Sequence, residues 1–254
     1  MTGEFSPDWL ALREPADAEA RDAGLLRELP AGIRVIRDLG CGTGSMGRWL
    51  APRLPMPQHW IMTDRDPALL TLAADGMPPQ VTVSTHLRDV TELTPADLDG
   101  VDLVTCSALL DVLTAAEVET LVATLAEARV SALFTLSVTG EVRMAPEDPL
   151  DREVEAAFNE HQRRETGGRR LLGPDAPAFA AAAFEKAGAQ VVTGASPWRL
   201  GAARSALTAE WLRGWTSAAA EQHSALPVSP YLDRRIAAVP NISVGHQDVL
   251  AIFI

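Results

Sequence analysis

The chain has 254 residues, 47% of them hydrophobic and 22% charged, a balance that supports one large folded domain and excludes disorder, collagen and coiled coil. Thirty-four acidic against 22 basic residues leave a formal net charge of -12, a field that repels phosphate backbones and anionic lipid and so disfavours nucleic-acid and membrane partners. Two cysteines, Cys41 and Cys106, are too few for a disulfide framework or a four-thiolate zinc site.

Residues 1–32 read as a helical prelude, with Trp9, Leu10 and Arg13 on one side. The start lacks the basic-then-apolar order of a secretion leader. No apolar run reaches the roughly 18–20 residues of a membrane span. A cytoplasmic protein is the expectation. Strand-like apolar runs then follow at Ile33–Leu39, His59–Thr63, Val81–Ser84, Val101–Ser107, Ser131–Val138, Gln190–Thr193 and Asp248–Ile254. Between most of them the spacing turns helical. Met46, Trp49 and Leu50 follow the first strand; Thr114 and Glu117 stand at capping-box spacing before Val118, Leu121, Val122 and Leu125. A helix over Pro177–Ala187 is predicted to stop at Gly188, where a left-handed cap fits. Strands alternating with helices predict an α/β fold, a mainly parallel sheet covered on both faces. Two long excursions, 139–174 and 196–247, interrupt the alternation, and such excursions are common places for substrate recognition.

The first strand runs into Asp38-Leu-Gly40-Cys41-Gly42-Thr-Gly44-Ser-Met-Gly47. Glycines at a strand-to-helix turn let the backbone touch a ligand where a Cβ would collide. Read from Gly42, the spacing is also the G-x-G-x-x-G of dinucleotide loops. Asp38 separates the two ligand classes. A carboxylate just ahead of the loop repels a pyrophosphate, whereas it suits a ligand carrying an ammonium and a sulfonium.

Asp38 to Gly44 resembles the acid-x-Gly-x-Gly-x-Gly signature of class I, Rossmann-like S-adenosylmethionine-dependent methyltransferases. The resemblance implies a doubly wound, seven-stranded sheet of order 3-2-1-4-5-7-6 with the last strand antiparallel and helices on both faces. It implies S-adenosylmethionine as cofactor and S-adenosylhomocysteine as product. Further positions fit in order. Asp64 closes the second strand, 20 residues after Gly44, where an acid accepts from the ribose hydroxyls; Arg65 follows it, and Asp66-Pro67 reads as a helix cap. Asp89 and Val90 follow the third strand at the adenine position. Ser107 ends the fourth strand beneath the methyl group. The cofactor set is therefore Asp38, Gly40, Cys41, Gly42, Gly44, Asp64, Arg65, Asp89, Val90 and Ser107. The wider pattern, Trp9 to Ala16 with Ser196-Pro-Trp-Arg-Leu-Gly201, is similar to an actinobacterial subgroup of these enzymes.

Catalytic candidates are His161 and Asp111. His161 shares a helical face with Val154, Ala157 and Phe158, and its other reading is a core histidine. Asp111 lies just past the fourth strand. Arg164, within the cluster Arg163, Arg164, Arg169 and Arg170, could clamp an anionic acceptor, or cap a solvated helix end. Trp198 could wall an apolar part of a pocket, and Arg13 could fold over the cofactor. The stripe Leu207, Trp211 and Trp215 suits a core or an interface, which leaves room for a homodimer. The expected reaction is methyl transfer to an oxygen or nitrogen of a small molecule, in a single domain spanning 1–254, with no metal site. Two alternatives stay open: an NAD(P)-dependent oxidoreductase using Gly42 to Gly47, and a non-catalytic cofactor-binding or scaffold protein of the same fold.

Overall fold

The computed structural model describes residues 6–253; the first five residues, which bear on the leader, and Ile254, the end of the predicted last strand, lie outside it. Helix α1 (Pro7–Ala20) opens the chain, with Ser6 accepting from the Trp9 amide as its N-cap. Five strands follow with their crossover helices: β1 (Val35–Leu39), α2 (Ser45–Leu50), β2 (His59–Asp64), α3 (Pro67–Gly76), β3 (Thr82–Leu87), β4 (Leu103–Ser107), α4 (Ala115–Ala128) and β5 (Ser131–Ala145). Then come α5 (Asp151–Gln162), a two-residue hairpin of β6 (Glu165–Thr166) and β7 (Arg169–Arg170), α6 (Ala176–Lys186), β8 (Gln190–Ala195), β9 (Trp198–Leu200), α7 (Ser205–Gln222), α8 (Val228–Ala238) and β10 (Asn241–Ile252).

The main sheet has the order β3-β2-β1-β4-β5-β10-β8, with β9 pairing β10. Neighbours from β3 to β5 are parallel, and β10 runs antiparallel to both β5 and β8. Counting β10 as the seventh strand gives the predicted order. Alternation along each buried strand divides the core. Ile36, Met62, Leu103, Leu133 and Leu250 face α2 and α3, while Leu39, Val104, Phe134 and Ala251 face α4 and α6.

Several local predictions hold at atomic level. Thr114 and Glu117 cap α4 reciprocally, at 3.2 and 2.8 Å. Gly188 takes φ +88 after α6. Asp66 accepts from the Ala68 and Leu69 amides and caps α3. The two excursions contain more strand than the sequence suggests. β5 continues to Ala145, pairing Ala145 with Asn241, so β10 begins seven residues before the predicted Asp248. Alternation over 139–145 is masked by Gly140 and charged residues, because that ribbon leaves the covered sheet and one face meets solvent. Ser107, the end of β4, pairs with Thr135, so the ribbon extends beyond the carboxyl edge of the parallel strands.

A third apolar cluster fills the ribbon's other face, where Val244, Met144 and Trp198 meet α1, α5, α7 and α8. Trp211 stacks on Trp215 at 5.2 Å, and Leu207 and Trp215 are buried, so the tryptophan stripe belongs to the core. Arg235 locks α8 to the start of α5: it is 2% exposed, donates to the Pro146 carbonyl at 2.7 Å and pairs with Asp151. Tyr231 donates to the same carboxylate at 2.6 Å. Asp151→Ala strands a buried guanidinium and should cost about 3–5 kcal/mol in denaturant unfolding; a loss below about 1 kcal/mol would show the pair to be solvated.

Candidate active site

β1 ends at Leu39, one residue past Asp38, and the next five residues turn the chain into α2. Gly40, Gly42 and Gly44 take φ +58, +55 and +87, a region open to glycine. The loop is tied down from neighbouring strands. The Cys41 amide donates to the Thr63 carbonyl at 3.0 Å, and the Gly42 amide donates to Asp64 Oδ2 at 2.8 Å. Asp64 Oδ1 accepts from the Asp66 amide at 3.0 Å. Asp64 thus holds the loop and its own turn together, with lone pairs left for a ligand hydroxyl.

Asp38 is 1% exposed and accepts from Thr105 Oγ1 at 2.7 Å through Oδ1. Among the described residues, nothing hydrogen-bonds its Oδ2. Burial pushes this carboxyl up to about 7, against the Thr105 hydroxyl and the positive charge of Arg21. Cys41 and Cys106 are buried and burial drives both thiols upward, so they serve as small packing residues.

Asp89 and its neighbours form a chain of their own. Asp89 accepts from the Thr91 amide and hydroxyl at 2.9 and 2.8 Å, and Arg65 lies 3.9 Å from its other oxygen. Val90 packs against the core on the α4 side. Ser107 Oγ accepts from Arg21 and from Thr135 Oγ1, each at 3.1 Å.

Helix α1 lies on the loop. Where a Cβ would stand on Gly40, Leu109 Cδ2 is 2.9 Å away; for Gly42, Leu10 Cδ1 is 3.3 Å away. Glu14 pairs with Arg48, which also donates to the Thr43 carbonyl. Arg13 turns the other way, pairing with Asp17 at 3.0 Å and lying 4.9 Å from the Trp198 ring. Trp198 is buried and donates to Asp17 at 2.9 Å, so it is a floor beneath Arg13 and not an open wall. Asp111 is half-buried with no side-chain partner among the described residues; burial raises it to about 6, opposed by the charge of Arg13. His246 stands beside Trp198, centroids 5.3 Å apart, and burial holds it neutral, down to about 4.

His161 and Arg164 lie elsewhere. The face shared with Val154 and Ala157 does turn inward, yet His161 Nε2 is 3.0 Å from Glu221 Oε2 on α7, and Arg164 donates to the His161 carbonyl at 2.8 Å. The rest of that arginine cluster is largely paired, Arg163 with Asp175 and Arg169 with Glu117. Nothing in these contacts brings the two residues to the glycine loop, because α5 packs on α7 and on the outer ribbon. A cavity of about 340 Å³ does lie on that ribbon, beyond the carboxyl edge, bordered by Thr139, Glu141, Ser243, His246 and Gln247.

Sequence reasoning missed Arg21 and Asp248. Asp248 Oδ2 accepts from the Asp22 amide at 2.8 Å, and its Oδ1 accepts from the Leu136 amide and Ser196 Oγ. The signal that could have found Asp248 is a lone acid ahead of an apolar strand.

Because the native carboxyl of Asp38 titrates near 7 and the unfolded one near 3.8, the native state holds the extra proton between these values. Stability is therefore lost as pH rises through that window, and the penalty is complete above about 7. Asp38→Asn should gain on the order of 2–3 kcal/mol over the parent between pH 5 and pH 8, at about 1.36 kcal/mol per unit. Parallel urea-midpoint profiles for the two proteins would refute it.

Residues 36–129 match the family described as "Methyltransferase domain". No curated protein matches the sequence. Among solved structures, the mycolic acid cyclopropane synthase CmaA1, apo-form, aligns at 13% identity over 97% of this chain and 100% of that one, with TM-score 0.50. Magnesium protoporphyrin IX methyltransferase (ChlM) from Synechocystis PCC 6803, with bound SAH, aligns at 16% identity over 77% and 84%, with TM-score 0.46. At 13% identity the likeness to the cyclopropane synthase is one of fold. The matched stretch holds Asp38, the three loop glycines, Asp64, Asp89, Ser107 and Asp111.

Proposed function

We propose that this protein transfers the methyl group of S-adenosylmethionine to an oxygen or nitrogen of a small-molecule acceptor. One observation carries the reading: a buried carboxylate, Asp38, with a bare oxygen at the base of a glycine loop whose three left-handed turns open its backbone to a ligand. A buried carboxylate with one oxygen left without a donor is costly. It calls for a cation, and a diphosphate would aggravate it.

Bound at that loop, S-adenosylmethionine would supply a sulfonium whose methyl is open to in-line displacement. The chain's part is to bind, orient and dry. Asp38 Oδ2 would accept from its ammonium, Asp64 has acceptor capacity for its ribose hydroxyls, and the Asp89–Val90 corner would border its base. Leu10 and Leu109 roof the loop and keep water from it. Alignment of this kind can supply about 7–11 kcal/mol of a barrier. Asp111, half-buried and raised to about 6, is ionised at neutral pH and suits proton removal from an acceptor hydroxyl or amine. A small-molecule acceptor is supported by the net charge of -12, which disfavours a nucleic-acid substrate.

Thermal melts test the cofactor first. S-adenosylhomocysteine at 100 times its Kd should stabilise by about 2.7 kcal/mol, whereas a response to NAD(H) alone would overturn the reading. Asp64→Ala should weaken that binding by roughly 1.5–3 kcal/mol; unchanged affinity would leave Asp64 a purely structural tie. Turnover should fall as pH drops below about 6, where Asp111 takes up its proton. Asp111→Asn should cut kcat about 10²–10⁴-fold and abolish that acid limb. A retained limb would assign the base elsewhere, and His161→Ala then identifies it if kcat falls.

A further inference from the structure

Strand β1 reads Val-Ile-Arg-Asp-Leu, and alternation puts Val35, Arg37 and Leu39 on the face toward α4. A strand covered on both faces ordinarily carries apolar residues at such positions. Arg37 is a charged residue there, and it is only 5% exposed. Its Nη1 donates to Thr63 Oγ1 on β2 at 3.1 Å and lies 2.9 Å from His86 Nδ1 on β3. Thr63 and His86 stand opposite each other in the sheet, so a polar row crosses three strands. An arginine cannot accept, so His86 Nδ1 supplies a lone pair and the ring proton sits on Nε2.

Arg13, Arg48, Arg163, Arg169 and Arg234 each turn the Nε–Nη2 edge of the guanidinium to both oxygens of a carboxylate. That edge is the fork whose geometry matches carboxylate and phosphate. In Arg37 it makes no hydrogen bond among the described residues: Nε is buried without a partner, and both bonds go through Nη1. Burial depresses the basicity of Arg37, with Asp97 opposing that effect and Arg88 adding to it. Asp97 is already taken, by Arg88 and by the Thr94 amide and hydroxyl at 2.9 and 2.6 Å. A buried guanidinium without a bonded counter-charge is costly unless an anion completes it.

The sheet beside Arg37 is open. β1, β2 and β4 are each followed by a crossover helix, whereas β3 leads to β4 through two short turns, Val90–Glu92 and Pro95–Leu98. Val90, Leu93 and Leu98 pack into the core beneath α4. Among the described residues no helix covers this face of β2 and β3: Thr82 and Ser84 are exposed, and His59 and His86 are half-buried.

We propose that Arg37 and His86 form a binding site for a small tetrahedral oxyanion, phosphate or a phosphate monoester, on the uncovered face of β2 and β3. The Nε–Nη2 edge of Arg37 and the Nε2–H of His86 are its donors, and the exposed Ser84 hydroxyl stands at its rim. Arg37 lies on the face of β1 opposite Asp38, so the site is separate from the glycine loop and independent of the methyl-donor reading.

Calorimetric titration of the full chain with inorganic phosphate, at ionic strength fixed with chloride, tests this. The parent should show saturable binding in the millimolar range or tighter, retained when S-adenosylhomocysteine is present in excess. Arg37→Gln should weaken it at least about 10-fold, the lower end for hydrogen bonds to a charged group. His86→Phe, which keeps a ring and removes its N–H, should weaken it as well, and decides the matter if Arg37→Gln does not fold. Glycerol 3-phosphate, as a second probe, separates the sources. Tighter binding than phosphate assigns the site to a phosphorylated small molecule, and equal or weaker binding assigns it to the free ion; both sustain the oxyanion site. Absence of saturable phosphate binding overturns the proposal, as does an affinity unchanged in either variant. Displacement of phosphate by S-adenosylhomocysteine places the ion in the glycine loop and overturns it too.

Discussion

A carboxylate and a guanidinium, both buried at the carboxyl edge of one sheet and both bonded only to hydroxyls, govern the organisation around them. Asp38 and Arg21 do not bond to each other, and among the described residues each keeps one polar atom without a partner. Interiors ordinarily pair such charges or leave them in water. Holding them apart is costly, and the surrounding structure supplies the means. Thr105 and Ser107 on β4, Thr135 on β5 and Ser45 on α2 provide the hydroxyls, so the crevice between α2 and the strand ends is polar only on its walls.

The rest of the fold serves to keep that crevice shaped and dry. Parallel strands β1 and β4 bring Asp38 and Thr105 opposite each other in register. Asp248 joins β10, β5 and the segment after α1 through three hydrogen bonds, which fixes the backbone that carries Arg21. Helix α1 then lies across the glycine loop, with Leu10 over Gly42 and the Glu14–Arg48 pair at its flank. Removing any one of these changes where charge sits relative to the loop, which is why distant parts of the chain bear on the site.

Local chemistry in the sequence announces much of this. Glycines at φ near +55 to +87, the Thr114–Glu117 box and the Asp66 cap are legible because their cause lies within a few residues. The central strands are legible because both faces are covered, which leaves continuous apolar runs. Strand β9 and the outer half of β5 are not, since both pair with β10 through contacts more than 40 residues apart and face solvent on one side. Arg21 is invisible for the same reason: its partners Ser107 and Thr135 stand 86 and 114 residues away. His161 misleads in the opposite sense. Its helical face is apolar as expected, yet the neighbour across that face is α7, not the glycine loop.

The most direct measurement is a crystal structure of the protein soaked with S-adenosylhomocysteine. The account predicts the ligand against the glycine loop, with its amino nitrogen within hydrogen-bonding distance of Asp38 Oδ2. A bound ligand that leaves Asp38 Oδ2 bare would contradict it.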